Sequence, residues 1–591
     1  MAAHWRTQDL FESDAHWEDS FEAVQGDIDA LSACAGTLGS RAGLLHALTC
    51  LFAMNRRVEA LFVYAQLKRD EDKRVNLYQG MLSRMHALSA QAEAAGAFLA
   101  PELLALDACW LENLQEDPDF RRYRVYLEDI ARQRPHTLSP EGEHLLAMAR
   151  EAGEAPRTIY ELLTDADIRF PMLKGSEDEP IPLTQASYVP LLMSPDKALR
   201  ERAFEAYYET MGRFASTISA AYEASVKFDL FLARARHYQS ARHMSLFQDR
   251  IPERVYDNLL STVESRLDGL TRYLNLKARR LGLEKMRWCD IYAAPAEHFD
   301  LKLPYEEALG LVADCLAPLG HDYQALLREA GTGGWIDPFE RPGKHPGAYS
   351  FGSYDCHPYV LMNYRENLES VLTLAHELGH ALHTHYSNHA QPYPTANYSL
   401  FVAEVASTVN EVLVLLSLLA RHPEREAQAM LHCVLLDSYR STLFRQCMFA
   451  RFEMESHAMA EAGEALTEES LNALYQGILT RYSPQVEPCP QIKWEWMRIP
   501  HFYSAFYVYV YATGFSAATA IARRLFDGVP GAREAYRTFL CTGCSLPPIE
   551  ALKLAGIDME DPASISGAMD LFDRLVDGYE ALGDAPKEAK A

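Results

Sequence analysis

The chain has 591 residues, enough to bury a large core and to form more than one structural lobe. Its 48% hydrophobic and 23% charged content is that of an ordinary globular protein. The formal net charge of −26 argues against nucleic acid or an anionic membrane surface as a partner.

Features outside the helical segments predict a cytoplasmic protein. The N-terminal sequence MAAHWRTQDLFESD has neither a basic n-region nor an apolar h-region, so we expect no secretory signal. The eleven cysteines are scattered and odd in number, which is typical of reduced thiols. Cys541 and Cys544 form a lone C-x-x-C without a second pair or a nearby histidine, and we interpret them as incidental loop cysteines.

Helical patterns dominate the chain. Residues 43–67 are apolar on one side and polar on the other, and residues 199–236 are typical of one or two long helices. Pro, Gly and acidic residues cluster in residues 171–184, which indicates a break. We therefore predict a mainly α protein with an N-terminal helical region over residues 1–185 and a second helical region over residues 186–591.

A short β-prone segment precedes the most informative helix. Five glycines between residues 333 and 352 are typical of turns in a small antiparallel sheet. Residues 359–364, YVLMNY, follow as a strand candidate. If this strand is an exposed edge, the main chain of Tyr359, Val360 and Leu361 can bind an extended chain. The alternative is a buried strand of the small sheet.

Residues 376–380 read His-Glu-Leu-Gly-His inside the apolar helical segment 368–383. At about 100° per residue, His376 and His380 share one helix face, one turn apart, which suits two ligands of one Zn²⁺. Glu377 is turned about 100° from His376 and can reach a water beside the metal without binding the metal. We predict Glu377 as the base that takes the proton of this water.

The third ligand is predicted on the next helix. Residues 400–419 are mostly apolar, and Glu404 and Glu411 are their only charged residues, seven apart and so on one face. Two acids on so apolar a helix require a cation or a donor. We predict Glu404 as the third zinc ligand and Glu411 as an acceptor that orients a ligand histidine. His383, three residues after His380, is predicted to support the site, because a catalytic zinc needs three protein ligands and an open position.

Other interpretations of these residues exist. The histidines could be hydrogen-bonded members of a core helix, and the glutamates could pair with Arg or Lys. Glu377-x-x-His380 and Glu141-x-x-His144 also match halves of a carboxylate-bridged di-iron site, which would make the protein an oxidoreductase. That interpretation leaves His376 unexplained, and its second copy lies at a predicted helix start.

The same residues stand in segments that resemble a known family. HELGHALH and EVASTVNE resemble the oligoendopeptidase F branch of the thimet-type metallopeptidases. The resemblance extends over GGWIDPFERPGKHPGAYSFGSYD (333–355), PYVLMNYRENLESVLTLAHELGH (358–380), RIPHFYSAFYVYVYATG (498–514) and, upstream, RPHTLSPEGEHLLA (134–147). The resembling segments thus run from residue 134 to residue 514, in the order that the family has.

The resemblance implies a multi-helical, two-lobed fold with zinc at the bottom of a deep central groove and the small sheet next to the zinc helix. It implies cleavage of short unfolded peptides rather than folded proteins. By residue-for-residue match, His376, His380 and Glu404 would be the ligands and Glu377 the base. A peptide-binding protein that has lost catalysis is a further alternative, but the base and all three ligands are present.

An uncharged aromatic segment lies near the C-terminal end of the resemblance. Residues 502–522 are long enough to span a membrane, but eight hydroxyl side chains disfavour a lipid-facing helix. A wall inside the protein fits the segment better, and if the segment is helical, Tyr503, Tyr507 and Tyr511 share a stripe while Tyr509 faces elsewhere. The family uses a histidine and tyrosines of this region as oxyanion donors, but the spacing from His501 to the tyrosines is shorter here than in the thimet branch. We favour His501 and Tyr509 as catalytic donors and take Tyr503 and Tyr507 as substrate-binding residues. The alternative is an aromatic core stripe.

The sequence therefore predicts a cytoplasmic endopeptidase with one Zn²⁺ per chain that acts on short peptides. No nucleic-acid or membrane partner is expected, and the oligomeric state is left open.

Overall fold

The computed structural model describes residues 4–175, 179–294 and 301–583. It is 71% helical with two small sheets, which confirms the predicted mainly α class. Within the described residues, helix 400–421 is the one helix long and apolar enough to cross a membrane, and 72% of its most apolar stretch is buried.

The α-helices, in chain order, are α1 (Asp14–Ser32), α2 (Arg41–Glu71), α3 (Asn76–Gly96), α4 (Leu99–Ala105), α5 (Ala108–Gln115), α6 (Arg124–Gln133), α7 (Pro140–Gly153), α8 (Ala155–Glu161), α9 (Gln185–Leu192), α10 (Lys197–Gly212), α11 (Ala215–Ala235), α12 (Ala241–Gln248), α13 (Glu253–Glu264) and α14 (Leu267–Arg280). The later ones are α15 (Tyr305–Cys315), α16 (His321–Thr332), α17 (Leu368–Ala390), α18 (Tyr393–Ala396), α19 (Leu400–Arg421), α20 (Arg425–Ser438), α21 (Arg445–Glu461), α22 (Glu468–Tyr482), α23 (Tyr509–Phe526), α24 (Ala532–Leu540), α25 (Pro548–Leu554) and α26 (Pro562–Ala581).

The strands are short. They are β1 (Met172–Lys174), β2 (Pro180–Pro182), β3 (Ile336–Asp337), β4 (Tyr349–Phe351) and β5 (Tyr359–Leu361). Strands β1 and β2 pair antiparallel across the predicted break at 171–184, part of which lies outside the described residues. Short 3₁₀-helical segments include Ile492–Arg498 and Pro500–Tyr503.

The chain divides into two compact units, each assembled from three separate stretches. The first unit comprises the described residues within 1–135, 300–416 and 521–557. The second comprises those within 136–299, 417–520 and 558–591. The boundary predicted near residue 185 stays a prediction.

The first unit is built around two groups of elements. Helices α1 to α6 enclose an apolar core in which Trp17 is fully buried and donates its indole N–H to the Leu61 carbonyl oxygen at 2.9 Å. Helices α17 and α19, with the sheet β3–β5–β4, form the other group. All the predicted zinc ligands belong to this second group.

The small sheet corrects one prediction. Strand β5 lies between β3, to which it is parallel, and β4, to which it is antiparallel, so the sheet is mixed rather than purely antiparallel. Tyr359, Val360 and Leu361 are fully buried, and the first and last of them pack against Trp5. The predicted exposed edge at these residues is therefore wrong, because both edges of β5 are paired and both of its faces are covered.

The second unit is helical around aromatic side chains. The Tyr222 hydroxyl of α11 lies 2.7 Å from the Ser456 hydroxyl of α21. Buried Glu495 accepts hydrogen bonds from Arg445 and from the Tyr475 hydroxyl, both at 2.7 Å. These bonds satisfy polar groups that would otherwise be costly to bury.

Candidate metal centre

Helix α17 presents the two histidines of HELGH. Its N-terminus is capped by Asn367, whose side chain accepts the Ser370 backbone N–H at 2.8 Å. His376 and His380 follow one turn apart, and their Nε2 atoms lie 3.2 Å from each other. Both side chains remain partly exposed, at 26% and 18%, so a cation can reach the two nitrogens.

Helix α19 supplies the carboxylate. Glu404 Oε2 lies 3.5 Å from His376 Nε2 and 3.6 Å from His380 Nε2. A tetrahedral zinc with bonds of about 2.0–2.2 Å would separate such donor atoms by about 3.3–3.6 Å. The three donor atoms therefore already stand close to the separations that one zinc ion requires.

Close contact of α17 with α19 makes this geometry possible. A Cβ atom added to Gly379 would lie 2.6 Å from the Ser407 Cα atom and 2.7 Å from the Ala406 carbonyl oxygen. Asn410, fully buried on α19, donates its side-chain N–H to the Ala375 carbonyl oxygen at 3.0 Å. Sequence reasoning named neither Gly379 nor Asn410, although each stands within a quoted motif.

Glu411 fixes the orientation of His376. Its Oε1 atom makes a short hydrogen bond with His376 Nδ1, which leaves Nε2 directed at Glu404. Burial would lower the pKa of His376, but the hydrogen bond and charge of Glu411 outweigh burial and raise this pKa to about 9. The arrangement agrees with the predicted role of Glu411.

Glu404 is held as a carboxylate. Burial would raise its pKa, but the neighbouring His380 and His376 outweigh burial and lower the pKa to about 2. The Ser407 hydroxyl also donates to Glu404 Oε2, at 3.0 Å. One ionised carboxylate oxygen and two imidazole nitrogens together form a donor set that suits a divalent cation.

Glu377 lies beside this triangle and is 6% exposed. Burial raises its pKa, while the His376 and His380 charges act in the opposite direction. A carboxylate with a raised pKa in a cleft is suited to accept and return a proton.

His383 is buried behind the site. Its ring stacks on Tyr398 with centroids 3.7 Å apart, and Phe539 lies at 5.4 Å. Burial lowers the pKa of His383 to about 3, with the neighbouring His380 acting in the same direction, so the ring is neutral. His383 thus packs helix α17 against Tyr398 and Phe539 within the first unit.

The predicted donors of the aromatic segment belong to the second unit. His501 is exposed, its Nε2 lies 3.3 Å from the Tyr511 hydroxyl, and the Tyr507 ring stands 5.4 Å from the Tyr511 ring. Tyr509 is instead 2% exposed and packs against Tyr256, with ring centroids 5.0 Å apart. Tyr509, predicted as a donor, therefore lies in the aromatic core, and Tyr511 is the tyrosine whose hydroxyl lies beside His501.

Tyr509 lies in the core because a turn precedes the helix that carries it, so residues 502–522 do not form one continuous helix. Helix α23 begins only at Tyr509, after Phe506 adopts a left-handed backbone conformation with φ of +55°. The Phe506 backbone N–H donates to buried Glu453 at 2.7 Å, which holds this turn. Tyr503 precedes the turn and stacks on Tyr160, with centroids 4.6 Å apart, so it does not share a helical stripe with Tyr507.

The structure does not support the di-iron alternative. Glu141 lies in the first turn of α7, where the Ser139 hydroxyl accepts the Gly142 backbone N–H. In the described residues, two groups of side chains bring three ligand atoms within metal-binding reach, and neither group contains Glu141 or His144.

Comparisons with known proteins identify the family of the chain. The sequence profile of Peptidase family M3 matches residues 191–571, and that of Oligopeptidase F matches residues 102–170. Oligopeptidase PepF of Bacillus subtilis (strain 168) is 38% identical over 581 residues, covering 98% of this chain and 87% of that protein. A solved chain from Chlamydophila abortus superposes with a TM-score of 0.93 at 32% identity, covering 98% of both chains. Oligoendopeptidase-F from Enterococcus faecium gives a TM-score of 0.73 at 32% identity, covering 96% of this chain and 99% of that one.

The fold, the site and these matches define the protein as a metallopeptidase. The chain belongs to Peptidase family M3, with an oligopeptidase F segment in its N-terminal part, which confirms the resemblance drawn from the sequence.

Proposed function

We propose that the protein is a zinc-dependent endopeptidase that hydrolyses internal bonds of short, unstructured peptides. The observation that carries this proposal is the triangle formed by His376 Nε2, His380 Nε2 and Glu404 Oε2, with sides of 3.2, 3.5 and 3.6 Å. These donors suit one zinc ion per chain and leave its fourth position open for chemistry.

Each side chain then has a distinct task. Bound zinc would supply a Lewis acid for the attacking water and the scissile carbonyl group. Glu377 takes the proton of the attacking water and passes it to the leaving amine, and its raised pKa favours holding the proton between the two transfers. Glu411 keeps His376 oriented through Nδ1, so that Nε2 stays available to the metal.

The proposed substrates and location rest on separate support. The printed names of the relatives, oligopeptidase PepF and oligoendopeptidase-F, support short peptides as substrates. Membership of the family supports His501 as a donor to the substrate, and Tyr511 accompanies it in the second unit. All eleven cysteines are free, which supports a reducing location such as the cytoplasm.

The experiment that tests this function separates metal binding from proton transfer. Glu377→Gln should retain zinc yet lose about 10²–10⁴-fold in turnover of a short internally quenched peptide, because the amide cannot act as a base. Glu404→Ala should instead lose zinc, measured by elemental mass spectrometry, because one of three ligands is gone. Glu369→Gln is the matched control, since this exposed carboxylate lies on the same helix away from the site.

Three results would contradict parts of the proposal. Substantial turnover by the Glu377→Gln protein would remove Glu377 as the base. Unchanged zinc content in the Glu404→Ala protein would remove Glu404 from the ligand set. Chelator-resistant cleavage by the parent protein would reject metal dependence altogether.

A further inference from the structure

A second cluster of potential metal ligands lies at the junction of α1 and α2 in the first unit. It consists of Cys34, His46 and Cys50, and their ligand atoms all lie within 4.8 Å of one another. His46 and Cys50 are four residues apart on α2 and therefore share a helix face, as His376 and His380 do on α17. None of the three residues takes part in the proposed peptidase chemistry.

The loop between the two helices positions Cys34 against that face. Cys34 follows the end of α1, and its carbonyl oxygen accepts the Thr37 backbone N–H at 3.1 Å and the Thr37 hydroxyl at 2.7 Å. Cys34 itself is 3% exposed and packs in the core of the N-terminal helices. The loop and core thus fix one thiol before any ligand arrives.

The other two donors leave an entrance. His46 is exposed and Cys50 is half-buried, so a cation can approach from solvent. Cys50 Sγ lies 3.8 Å from His46 Nε2. A tetrahedral metal with bonds of about 2.3 Å to sulfur and about 2.0–2.1 Å to nitrogen would separate these atoms by about 3.5–3.6 Å, slightly less than the present distance.

The donor chemistry selects the kind of ion. Two thiolates and one imidazole are soft or borderline ligands, which favour Zn²⁺ and Cu⁺ over Mg²⁺ or Ca²⁺. Sulfur in the ligand set also distinguishes this cluster from the site on α17 and α19, which offers only nitrogen and oxygen.

We propose that Cys34, His46 and Cys50 form a second metal site that binds one thiophilic ion, Zn²⁺ or Cu⁺. Binding would deprotonate both thiols and release two protons, one from each sulfur, while His46 binds as a neutral imidazole. The Cys34 thiol would give up its present bond to the Ala30 carbonyl oxygen, 3.3 Å away. The ion would join α1 to α2 and stabilise the N-terminal helices of the first unit.

Cobalt is the probe, because only thiolate ligands give Co²⁺ a sulfur-to-metal charge-transfer band in the near ultraviolet. The full-length apoprotein, kept reduced, is titrated with Co²⁺, and Zn²⁺ and Cu⁺ are then added separately to displace it. We expect the band to saturate after at most two ions per chain in the parent protein, where the α17–α19 site also takes up Co²⁺, and to disappear on displacement. The more effective competitor identifies the preferred ion.

The variants separate the two sites and guard against misfolding. The substitution His46→Ala, at an exposed position, and the substitution Cys50→Ser should each abolish the charge-transfer band. The substitution Cys34→Ser tests whether the buried thiol is also a ligand. Glu404→Ala should keep the band, because it alters the other site. Cys109→Ser, which removes an exposed thiol elsewhere in the first unit, is the matched control and should also keep the band.

The proposal is overturned if the parent protein shows no band. It is equally overturned if the band survives in both His46→Ala and Cys50→Ser, or if it depends on Cys109. None of these results bears on the peptidase proposal, which is tested by Glu377 and Glu404.

Discussion

Gly379 of α17 lies directly against Ser407 of α19: a Cβ atom on Gly379 would stand 2.6 Å from the Ser407 Cα atom. The atoms in the way are backbone, which cannot rotate aside as a side chain can. Glu404 lies one turn from Ser407, so the distance from the α17 histidines to the α19 carboxylate depends on this contact.

We therefore expect Gly379→Ala to push the two helices apart. The free energy of unfolding should fall by about 1–3 kcal/mol from overpacking, and zinc affinity should fall with it. The control is Gly477→Ala in α22, where nothing lies within 4 Å of the added methyl group. That exposed change should be neutral or stabilise by up to about 1 kcal/mol. Equal effects of the two substitutions would refute the role of the contact.

Asn410 makes the second link between these helices. Its side chain donates to the Ala375 carbonyl oxygen and accepts the Tyr323 hydroxyl, both at 3.0 Å and both buried. Asn410→Ala should cost about 1–3 kcal/mol per unpaired buried group, measured by denaturant unfolding. Tyr323→Phe removes only one of the two bonds and should cost less. A larger loss from Tyr323→Phe would contradict this account.

Glu411 should affect zinc without binding it. Its hydrogen bond to His376 Nδ1 orients the imidazole, and loss of such a partner typically weakens metal affinity about 10–100-fold. We expect zinc affinity, measured by competition with a chelator, to decrease in the order parent, Glu411→Gln, Glu411→Ala. The amide retains an acceptor oxygen but not the charge. Unaltered affinity in Glu411→Ala would show that packing alone orients His376.

Glu59 of α2 predicts a pH-dependent stability. Burial raises the pKa of Glu59 to about 7, although a hydrogen bond with Tyr393 acts in the opposite direction. The folded-state pKa lies above the unfolded value of 4.5. Below pH 4.5 Glu59 is therefore protonated in both states and does not lower the free energy of unfolding. Between pH 4.5 and 7 Glu59 lowers the free energy of unfolding progressively, and above pH 7 this loss of stability reaches its full value.

Glu59→Gln should accordingly stabilise the protein at pH 8, by about 1–3 kcal/mol after allowance for solvent screening. Thermal or denaturant unfolding at pH 8 and at pH 4.5 measures this effect, and the gain should vanish at the lower pH. The exposed Glu369→Gln serves as the control at both values. A gain that is the same at both pH values would exclude ionisation of Glu59 as its cause.

The pairing of His501 with Tyr511 gives a kinetic prediction. Their 3.3 Å contact predicts that His501→Ala and Tyr511→Phe are non-additive in kcat/KM, because each change removes the same interaction. His501→Ala combined with Tyr509→Phe should be additive, since Tyr509 packs against Tyr256. Zinc content is measured alongside and should stay constant. Additivity in the first cycle would separate His501 from Tyr511.

Much of the metal site could be predicted from the sequence because short-range helical geometry determines it. The i, i+4 spacing of His376 and His380 places both on one face in any helix. The interval of seven does the same for Glu404 and Glu411, and the apolar residues around them left a cation or a donor as the explanation. The cluster of Cys34, His46 and Cys50 could be recognised only in part, because Cys34 comes from a separate element.

The predictions failed at positions where contacts with distant residues, rather than spacing along the chain, determine whether a side chain is buried. Tyr359, Val360 and Leu361 have the same sequence pattern in an exposed edge or in a covered central strand, and pairing with two neighbours chose the latter. Tyr509 lies in the core and Tyr511 lies beside His501, because the bond of Phe506 to distant Glu453 holds a turn before α23 begins.

The sequence by itself thus determined the helical class, the family and the side chains available to a metal, since these follow from composition, period and motif. The tertiary structure alone decided how closely α17 and α19 approach and which aromatic side chains lie beside His501. Those distances depend on contacts between residues far apart in the chain, such as Gly379 with Ser407, and local spacing contains no information about them.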